Sequence, residues 1–299
     1  MEYHPQNSSP LLLLRKMEIG TTSVRRTAAS VFSHILILRD KCLELLYPSS
    51  HADVDSISLE SLQFLAAGKS GIVYAIDDKR VLKEFQETER GEVERQAYCR
   101  LGSHSNIAKL LGTRKDGSIV LERGEVLRKI CRSPSADKIP IERKLGWLRQ
   151  AARGYQHLHN SNIIHSDVGC NNMIITKEGR LKIIDFEGCS IDGEPADSCY
   201  EWFSYRPSVP RASRSTDIFA FGCAVYEIIT GKPPHHELEV SNDRYHLVER
   251  LYADNNFPDV TSLPLGQLIQ SCWLNGFSSM SEVVRELEAF NPRSSRGLD

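Results

Sequence analysis

Residues 163–188 read IIHSDVGCNNMIITKEGRLKIIDFEG, and this stretch decides the fold of the chain. It contains two short apolar runs, 173–175 and 181–184, on either side of the polar turn 177–180. Apolar runs joined by a glycine-containing polar turn are typical of a β-hairpin whose strands pack on a core. We therefore predict a rigid hairpin in this part of the chain.

Three polar side chains lie at the ends of the predicted hairpin. Asp167 and Asn172 precede its first strand, and Asp185 follows its second. Taken singly, Asp and Asn at strand ends are most often turn formers. Together, two carboxylates and an amide suit Mg²⁺, which prefers oxygen ligands and usually shares them with phosphates. One aspartate is then left to accept a proton.

The joint spacing H-x-D-x-x-x-x-N, a hairpin and then D-F-x-G is hard to obtain by chance. With this spacing the chain resembles the eukaryotic protein-kinase-like superfamily, whose catalytic loop matches His165, Asp167 and Asn172. Residues 185–188 match the metal-binding D-F-G of that family. The resemblance covers residues 58–290 and implies an α+β, two-lobed fold, with an antiparallel β-sheet and one helix in the N-lobe and a mainly helical C-lobe.

Length, net charge and cysteine content limit the class of protein, its partners and its compartment. The 299 residues suffice for one two-lobed domain with an extension. A net charge of -2 gives no reason to expect nucleic acid or an anionic membrane as a partner. Eight cysteines without a C-x-x-C pair indicate reduced thiols in a cytoplasmic or nuclear protein. No segment is apolar enough to span a bilayer, although the basic, Ser/Thr-containing residues 15–34 leave a mitochondrial transit peptide as an alternative.

The chain divides into four predicted regions. Residues 1–55 match no motif, and within them residues 31–47 have apolar side chains at helical spacing, which predicts a helix. The N-lobe is predicted at 56–124, the C-lobe at 125–290 and a short tail at 291–299.

Gly68 and Gly71 lie between two predicted strands, 62–65 and 72–76. Glycine lets a backbone approach phosphates that a side chain would obstruct, although a plain hairpin turn is the simplest interpretation. The pattern also imitates the end of a Walker A loop, but Gln63 stands where that motif needs glycine and a strand follows instead of a helix. In context the segment resembles the kinase glycine-rich loop, with Val73 at the position of its valine and its first glycine replaced.

The resemblance assigns the nucleotide-binding side chains. Lys83 in strand 81–85 stands where the family has the lysine that grips the α- and β-phosphates. Glu94 in helix 91–101 is its candidate partner, and Glu92 is the alternative. ATP and Mg²⁺ are the implied cofactors. The residues assigned to the nucleotide are Gly68, Gly71, Val73, Lys83, Glu94 and Glu122; those assigned to the metal are Asn172 and Asp185; the catalytic ones are Asp167 and Lys83.

Two further strands, 107–111 and 118–121, complete a predicted five-stranded sheet, with Leu121 as gatekeeper before the hinge at Glu122. Helix 141–159 leads into the catalytic loop. Helix 218–230 is apolar nearly all round and hence buried, with residues 215–217 as its cap and Gly231 as its end. Two closing helices are predicted at 267–273 and 279–290. The sequence of residues 216–234 closely resembles that of the central C-lobe helix of protein kinases.

Several positions depart from the family pattern. Ser166 replaces an arginine that in many kinases holds a phosphate on the activation loop, so we predict that loop phosphorylation does not switch this protein in that way. Gly169 replaces the catalytic-loop lysine that would stabilise the transferring phosphate in this family. We expect its absence to lower the rate of phosphoryl transfer by a factor on the order of 10². Glu187 replaces the glycine of D-F-G and adds a negative charge beside the metal site. Ser208 follows Pro207, so the glutamate of the family's A-P-E motif is absent. The arginine that usually pairs with it is absent too. Loss of both partners of a buried ion pair is nearly neutral for the stability of the fold.

The predicted function is ATP-dependent transfer of the γ-phosphoryl group to Ser or Thr of a protein substrate. The first alternative is a pseudokinase scaffold that binds ATP weakly or not at all. The second is a small-molecule kinase of the aminoglycoside or choline type. Such kinases share the sequence I-D-F-E of residues 184–187, but they lack a segment like residues 216–234. The run 189–193 after the metal site resembles small fungal kinase-like proteins. No oligomeric state is predicted.

Overall fold

An antiparallel sheet of five strands forms the N-terminal part of the described chain. The structure is a computed structural model that describes residues 54–68, 71–86 and 88–292. The helix predicted over 31–47 lies outside these residues. The strand order is β1-β2-β3-β5-β4. The strands are β1 Gln63–Ala67, β2 Gly71–Ala75, β3 Arg80–Phe85, β4 Leu110–Thr113 and β5 Ile119–Glu122.

Strand β3 lies at the centre of this sheet. Lys83 is paired with Val73 of β2 on one side and with Ile119 of β5 on the other. Leu82, the preceding residue, is fully buried and packs with Val120. Since successive side chains of a strand point to opposite faces, Leu82 and Lys83 serve different faces of the sheet. The lysine is thus fixed on the most constrained strand.

The predicted strand 107–111 begins later than expected, at Leu110. Ile107 forms a single parallel bridge with Ile183 instead. The hydrogen bond from the Ala108 amide to the Ile183 carbonyl, 3.0 Å long, shows why: this segment pairs with the hairpin of the other lobe before it joins the sheet. Backbone hydrogen bonds therefore connect the two lobes directly behind the hairpin.

Helices dominate the C-terminal part. The helices in chain order are α1 Thr88–Leu101, α2 Leu127–Cys131, α3 Ile141–Asn160, α4 Arg214–Thr230, α5 Arg244–Ala253, α6 Gly266–Trp273 and α7 Met280–Ala289. Of the helices just given, α1 belongs to the N-lobe, where its first turn follows β3 closely. Two small sheets complete the C-lobe: β6 Glu125–Val126 with β8 Met173–Ile175 and β9 Leu181–Ile183, and β7 Ile163–Ile164 with β10 Ser190–Ile191.

Helix α4 is buried along most of its length, as its apolar sequence predicts, but its cap differs from the prediction. Ser213, and not residues 215–217, caps the helix, because its hydroxyl accepts from the Thr216 amide at 3.2 Å. Asp217 lies inside the helix and is fully buried. Gly231 ends the helix with φ 78°, a left-handed conformation that favours glycine.

The observed architecture is the predicted α+β, two-lobed fold, and the central hairpin is confirmed. In the part of the chain that the structure describes, no helix has both the length and the apolar character needed to cross a membrane.

Candidate active site

The hairpin of β8 and β9 holds the polar residues that the sequence singled out. Met173 pairs with Ile183, so the residues just outside the strands lie side by side. The Ile184 amide donates to the Asn172 carbonyl at 3.1 Å, which extends the pairing to the end of the hairpin. Asp185, the next residue, has φ 70°, a left-handed conformation that costs energy in a non-glycine residue and occurs mainly at functional sites.

Asp167 and Asn172 are in direct contact. The Asn172 amide nitrogen donates to the Asp167 carbonyl at 2.7 Å and to its carboxylate at 2.9 Å. Because both bonds use the amide nitrogen, the amide oxygen of Asn172 is left as a possible metal ligand. Burial, with smaller contributions from Glu201 and Asp185, raises the pKa of Asp167 to about 7 against the opposing effect of the Asn172 hydrogen bond. A carboxyl group with a pKa near neutrality is suited to accept a proton.

The backbone that carries Asp167 is anchored by Asp217 of α4. The carboxylate of Asp217 accepts from the amides of His165 and Ser166 at 2.9 and 3.0 Å, and the hydroxyl of Tyr200 donates to it at 2.7 Å. Burial opposes ionisation, but His159, with His165 and the Tyr200 hydroxyl, keeps the pKa of Asp217 below its usual range. The buried carboxylate is thus a fixed acceptor that shapes the turn before Asp167.

His165 has a structural environment. Its ring is buried, and its Nε2 lies 3.0 Å from the Ile184 carbonyl, on the far side of the hairpin. Its ring also packs edge-on against Phe186, with 5.5 Å between the centroids. Burial lowers the pKa of His165, which keeps the ring neutral. These contacts connect the loop before the hairpin to the segment after it.

Lys83 lies among three carboxylates. Its ammonium is 2.7 Å from Glu94 Oε2, 2.6 Å from Asp185 Oδ1 and 2.9 Å from Glu187 Oε2. Burial alone would lower the pKa of Lys83, but the three negative charges raise it well above its ordinary value. An ammonium has three donors, so the carboxylates satisfy all of them. We call Lys83, Glu94, Asp185 and Glu187 the Lys83 cluster.

The pKa values of two acids in the Lys83 cluster are shifted in opposite directions. Burial raises the pKa of Glu94 to about 7 despite the neighbouring ammonium. Asp185 is half-buried, and the charge and hydrogen bond of Lys83 outweigh the desolvation and hold its pKa below the ordinary value. Glu94 comes from α1 in the N-lobe and Asp185 from the end of the hairpin, so Lys83 connects the two lobes. Glu187, expected beside the metal site, also contacts the lysine.

The donor set of the cluster fits Mg²⁺. One carboxylate oxygen from each of Glu94, Asp185 and Glu187 lies within 4.8 Å of the others. Magnesium binds through oxygen ligands, usually one or two carboxylates together with phosphates. Three carboxylates around one ammonium leave excess negative charge, which a divalent cation would offset.

The glycine segment is built differently from a simple phosphate cradle. A Cβ atom at Gly71 would lie 2.1 Å from the Glu84 carbonyl oxygen, so the pairing of β2 with β3 itself requires glycine there. At Gly68 the nearest atom to such a Cβ is 3.9 Å away, so packing does not explain that glycine. Gly71 is therefore a structural requirement, whereas Gly68 remains a candidate for close approach to a ligand.

Glu122 does not point a free carboxylate at the cleft. Lys182 lies 3.3 Å from its Oε2, and the Lys109 amide donates to the same oxygen at 3.2 Å. Leu121 before it is buried, as expected for a residue that lines the back of a pocket. At Glu122 the backbone, rather than this engaged carboxylate, is therefore the candidate contact for a ligand.

Sequence reasoning missed a second charged group on the other side of Asp167. Arg128 of α2 contacts Glu201 and Glu227, which are 73 and 99 residues away in the sequence. Arg132 also contacts Glu227, at 3.0 Å. We call these four residues the Arg128 cluster. No local pattern marks such contacts, because each partner lies on a different element.

Comparison with known proteins agrees with this geometry. A family model described as protein tyrosine and serine/threonine kinase matches residues 73–279. Mitogen-activated protein kinase kinase kinase 6 of Homo sapiens is 32% identical over 200 residues, which are 58% of this chain and 16% of that protein. Cell division control protein 7 of Schizosaccharomyces pombe is 31% identical over 163 residues, 49% of this chain and 14% of the relative.

A probable serine/threonine-protein kinase of Dictyostelium discoideum is 29% identical over 198 residues, 60% of this chain and 38% of that protein. The chain therefore matches well under half the length of each of these three relatives. The similarity concerns their shared domain and not the remainder of those longer proteins.

Proposed function

We propose that this chain, which belongs to the protein tyrosine and serine/threonine kinase family, transfers the γ-phosphoryl group of ATP to Ser or Thr of protein substrates. The observation that carries the proposal is the convergence of Lys83, Asp167, Asn172 and Asp185 at one end of the hairpin. Phosphoryl transfer depends mainly on positioning and charge neutralisation, and these four side chains provide both.

Each side chain has a proposed role. Lys83 holds the α- and β-phosphates, and Glu94 keeps the ammonium in place at 2.7 Å. Asn172 and Asp185 hold Mg²⁺. Asp167 orients the acceptor hydroxyl and takes its proton, for which its raised pKa is favourable. Bound Mg·ATP supplies the phosphoryl group with its charge partly neutralised.

The remaining nucleotide contacts are proposed from the resemblance. Gly68, Gly71 and Val73 cover the phosphates, and the backbone around Glu122 meets the base. A side-chain contact from Glu122 is disfavoured because Lys182 and the Lys109 amide already engage its carboxylate.

A catalytically silent scaffold is the second candidate, and one contact favours it. Glu187 lies 2.9 Å from Lys83 and completes the set of carboxylates around the ammonium. Phosphates must displace at least one of these carboxylates to reach the lysine. A protein that never binds nucleotide productively would show the same arrangement permanently.

Transfer of γ-phosphate from Mg·ATP to the chain itself and to a mixed protein substrate tests the proposal. We expect incorporation by the wild type and its loss in Asp167→Asn, which keeps the side-chain shape but removes the base. Glu178→Gln, on the exposed turn of the hairpin, is the matched control and should transfer normally. Thermal stabilisation by Mg·ATP without any incorporation would contradict the proposal and favour a scaffold; a screen of metabolite acceptors would then test the small-molecule alternative.

A further inference from the structure

The Arg128 guanidinium ties together two carboxylates from distant parts of the C-lobe. Nη1 and Nη2 donate to the two carboxylate oxygens of Glu201 at 2.5 and 2.6 Å. Nε and Nη2 donate to the two oxygens of Glu227 at 2.8 and 2.9 Å. Bidentate pairs of this kind are among the strongest and most directional side-chain contacts in proteins.

One end of this arrangement is fixed. Glu227 belongs to the core helix α4 and is fully buried, and Arg128 is itself only 9% exposed. The other end, Glu201, lies on residues 192–213, which we call the β10–α4 connection. Arg128 also lies over the ring of Phe203 in this connection, with 5.2 Å from Cζ to the ring centroid. The guanidinium thus fastens the connection to the core of the C-lobe.

The same carboxylate contacts the loop that carries Asp167. The Asn171 side chain donates to Glu201 Oε1 at 3.3 Å. A Cβ atom at Gly169 would lie 2.9 Å from Glu201 Oε2 and 3.8 Å from Arg128 Nη2. The glutamate therefore occupies the space beside Gly169, and a side chain at that position would require this carboxylate to leave its place beside Arg128. Residues 169 and 171 both lie between Asp167 and Asn172, so the contact is made within the proposed catalytic loop.

We infer that Arg128 and Glu201 are positioning residues that hold the β10–α4 connection and the loop 167–172 in the arrangement that Asp167 needs to accept a proton. The inference rests on the proposed function for its catalytic part. Both charges belong to the chain, so the arrangement is complete without a phosphate on the connection. It also explains why Gly169 carries no side chain.

Hydrogen–deuterium exchange of the full chain tests the positioning without any need for activity. The Ser204 amide donates to the Glu201 carbonyl at 2.9 Å and reports on the connection. In Glu201→Ala we expect peptides containing Ser204 to exchange about tenfold faster or more, because charge-assisted hydrogen bonds are lost. Arg132→Gln is the matched control, since Arg132 contacts Glu227 but not Glu201. Equal exchange in Glu201→Ala and wild type would overturn the inference.

The kinetics of phosphoryl transfer give the second readout. In Glu201→Gln we expect kcat to fall about tenfold while KM for ATP stays within about twofold, because the pair holds the loop of Asp167 and not the nucleotide contacts. Arg132→Gln should leave both parameters unchanged. A kcat equal to that of wild type in Glu201→Gln would overturn the role toward Asp167. Absence of transfer in the wild type would overturn the proposed function alone, and the exchange measurement would still decide whether the pair holds the connection.

Discussion

Two regions of this molecule place a cation among carboxylates, and they differ in charge balance. In the Lys83 cluster one ammonium faces three carboxylates, all within 2.9 Å. In the Arg128 cluster two guanidinium groups face the two carboxylates of Glu201 and Glu227. The first region therefore carries excess negative charge, whereas the four residues of the second are balanced; the partly exposed Arg132 also lies 3.4 Å from the exposed Glu239.

This difference separates a binding site from a structural fastening. Buried charges are costly unless they are paired and hydrogen-bonded, so a balanced cluster is stable as it stands. An unbalanced cluster is completed when a cation arrives. The Lys83 cluster also joins both lobes, whereas the Arg128 cluster lies entirely within the C-lobe. We expect substitutions in the two regions to affect different properties: stability in the Arg128 cluster and ligand binding in the Lys83 cluster.

The largest effect should follow from breaking the balanced cluster. Arg128→Gln removes the cation that contacts Glu201 and leaves the fully buried Glu227 with Arg132. Removal of one partner of a buried ion pair costs about 3–5 kcal/mol in the free energy of unfolding. Chemical denaturation at pH 7.5 measures this loss.

The control for that measurement is Arg132→Gln, because Arg132 is partly exposed and contacts the same Glu227. Since Glu227 keeps its two hydrogen bonds from Arg128, loss of the half-exposed Arg132 should cost less, on the order of 1 kcal/mol. A loss in Arg128→Gln no larger than in Arg132→Gln would mean that the Arg128 cluster does not fasten the C-lobe.

A smaller effect, on binding, should follow from reducing the excess charge of the Lys83 cluster. Glu187→Gln removes one carboxylate that lies 2.9 Å from the Lys83 ammonium and would repel phosphates. We expect ATP to bind about tenfold more tightly in the presence of EDTA, since the energy of one charge pair near a protein surface is at least that large. With Mg²⁺ present the gain should be smaller, because the metal ion already offsets the excess charge.

Isothermal titration calorimetry with and without Mg²⁺ measures both affinities. Glu201→Gln is the matched control, since it also removes one carboxylate but in the balanced cluster. If Glu187→Gln bound ATP no more tightly than wild type in EDTA, the glutamate would not compete with the phosphates for Lys83.

The sequence predicted those secondary-structure elements that depend on the pattern of neighbouring residues. The hairpin of β8 and β9, helix α3 and the five-stranded sheet follow from apolar periodicity and turn residues, which act between near neighbours. The prediction of the α4 cap was wrong because several residues between Ser213 and Asp217 are of types that cap helices. Only the tertiary structure shows that Asp217 is instead the buried acceptor for the catalytic loop.

The site was predictable to the extent that the family pattern covers it. Lys83 and Glu94 were paired by their positions on a strand and a helix face, and the structure brings them together. The contact of Glu187 with Lys83 and the bridge from Arg128 to Glu201 were not predicted. They depend on how separate elements pack, and one sequence contains no local signal for that.

The smallest effect should appear in the pH dependence of stability. Burial raises the pKa of Glu94 to about 7, above the value near 4.5 expected in an unfolded chain. The folded protein therefore binds a proton at Glu94 in a range where the unfolded chain has released it. Stability from this group is present at low pH and is lost as the pH rises from about 4.5 through 7.

Relative to Glu94→Gln, which cannot titrate, the wild type should gain on the order of 1 kcal/mol in unfolding free energy when the pH is lowered from 8 to 6. Asp167 titrates in the same range but is present in both proteins, so the difference isolates Glu94. Denaturation at several pH values measures it. A parallel pH dependence in the two proteins would mean that Glu94 stays ionised beside Lys83, and the excess negative charge of the Lys83 cluster would then be larger than its titration suggests.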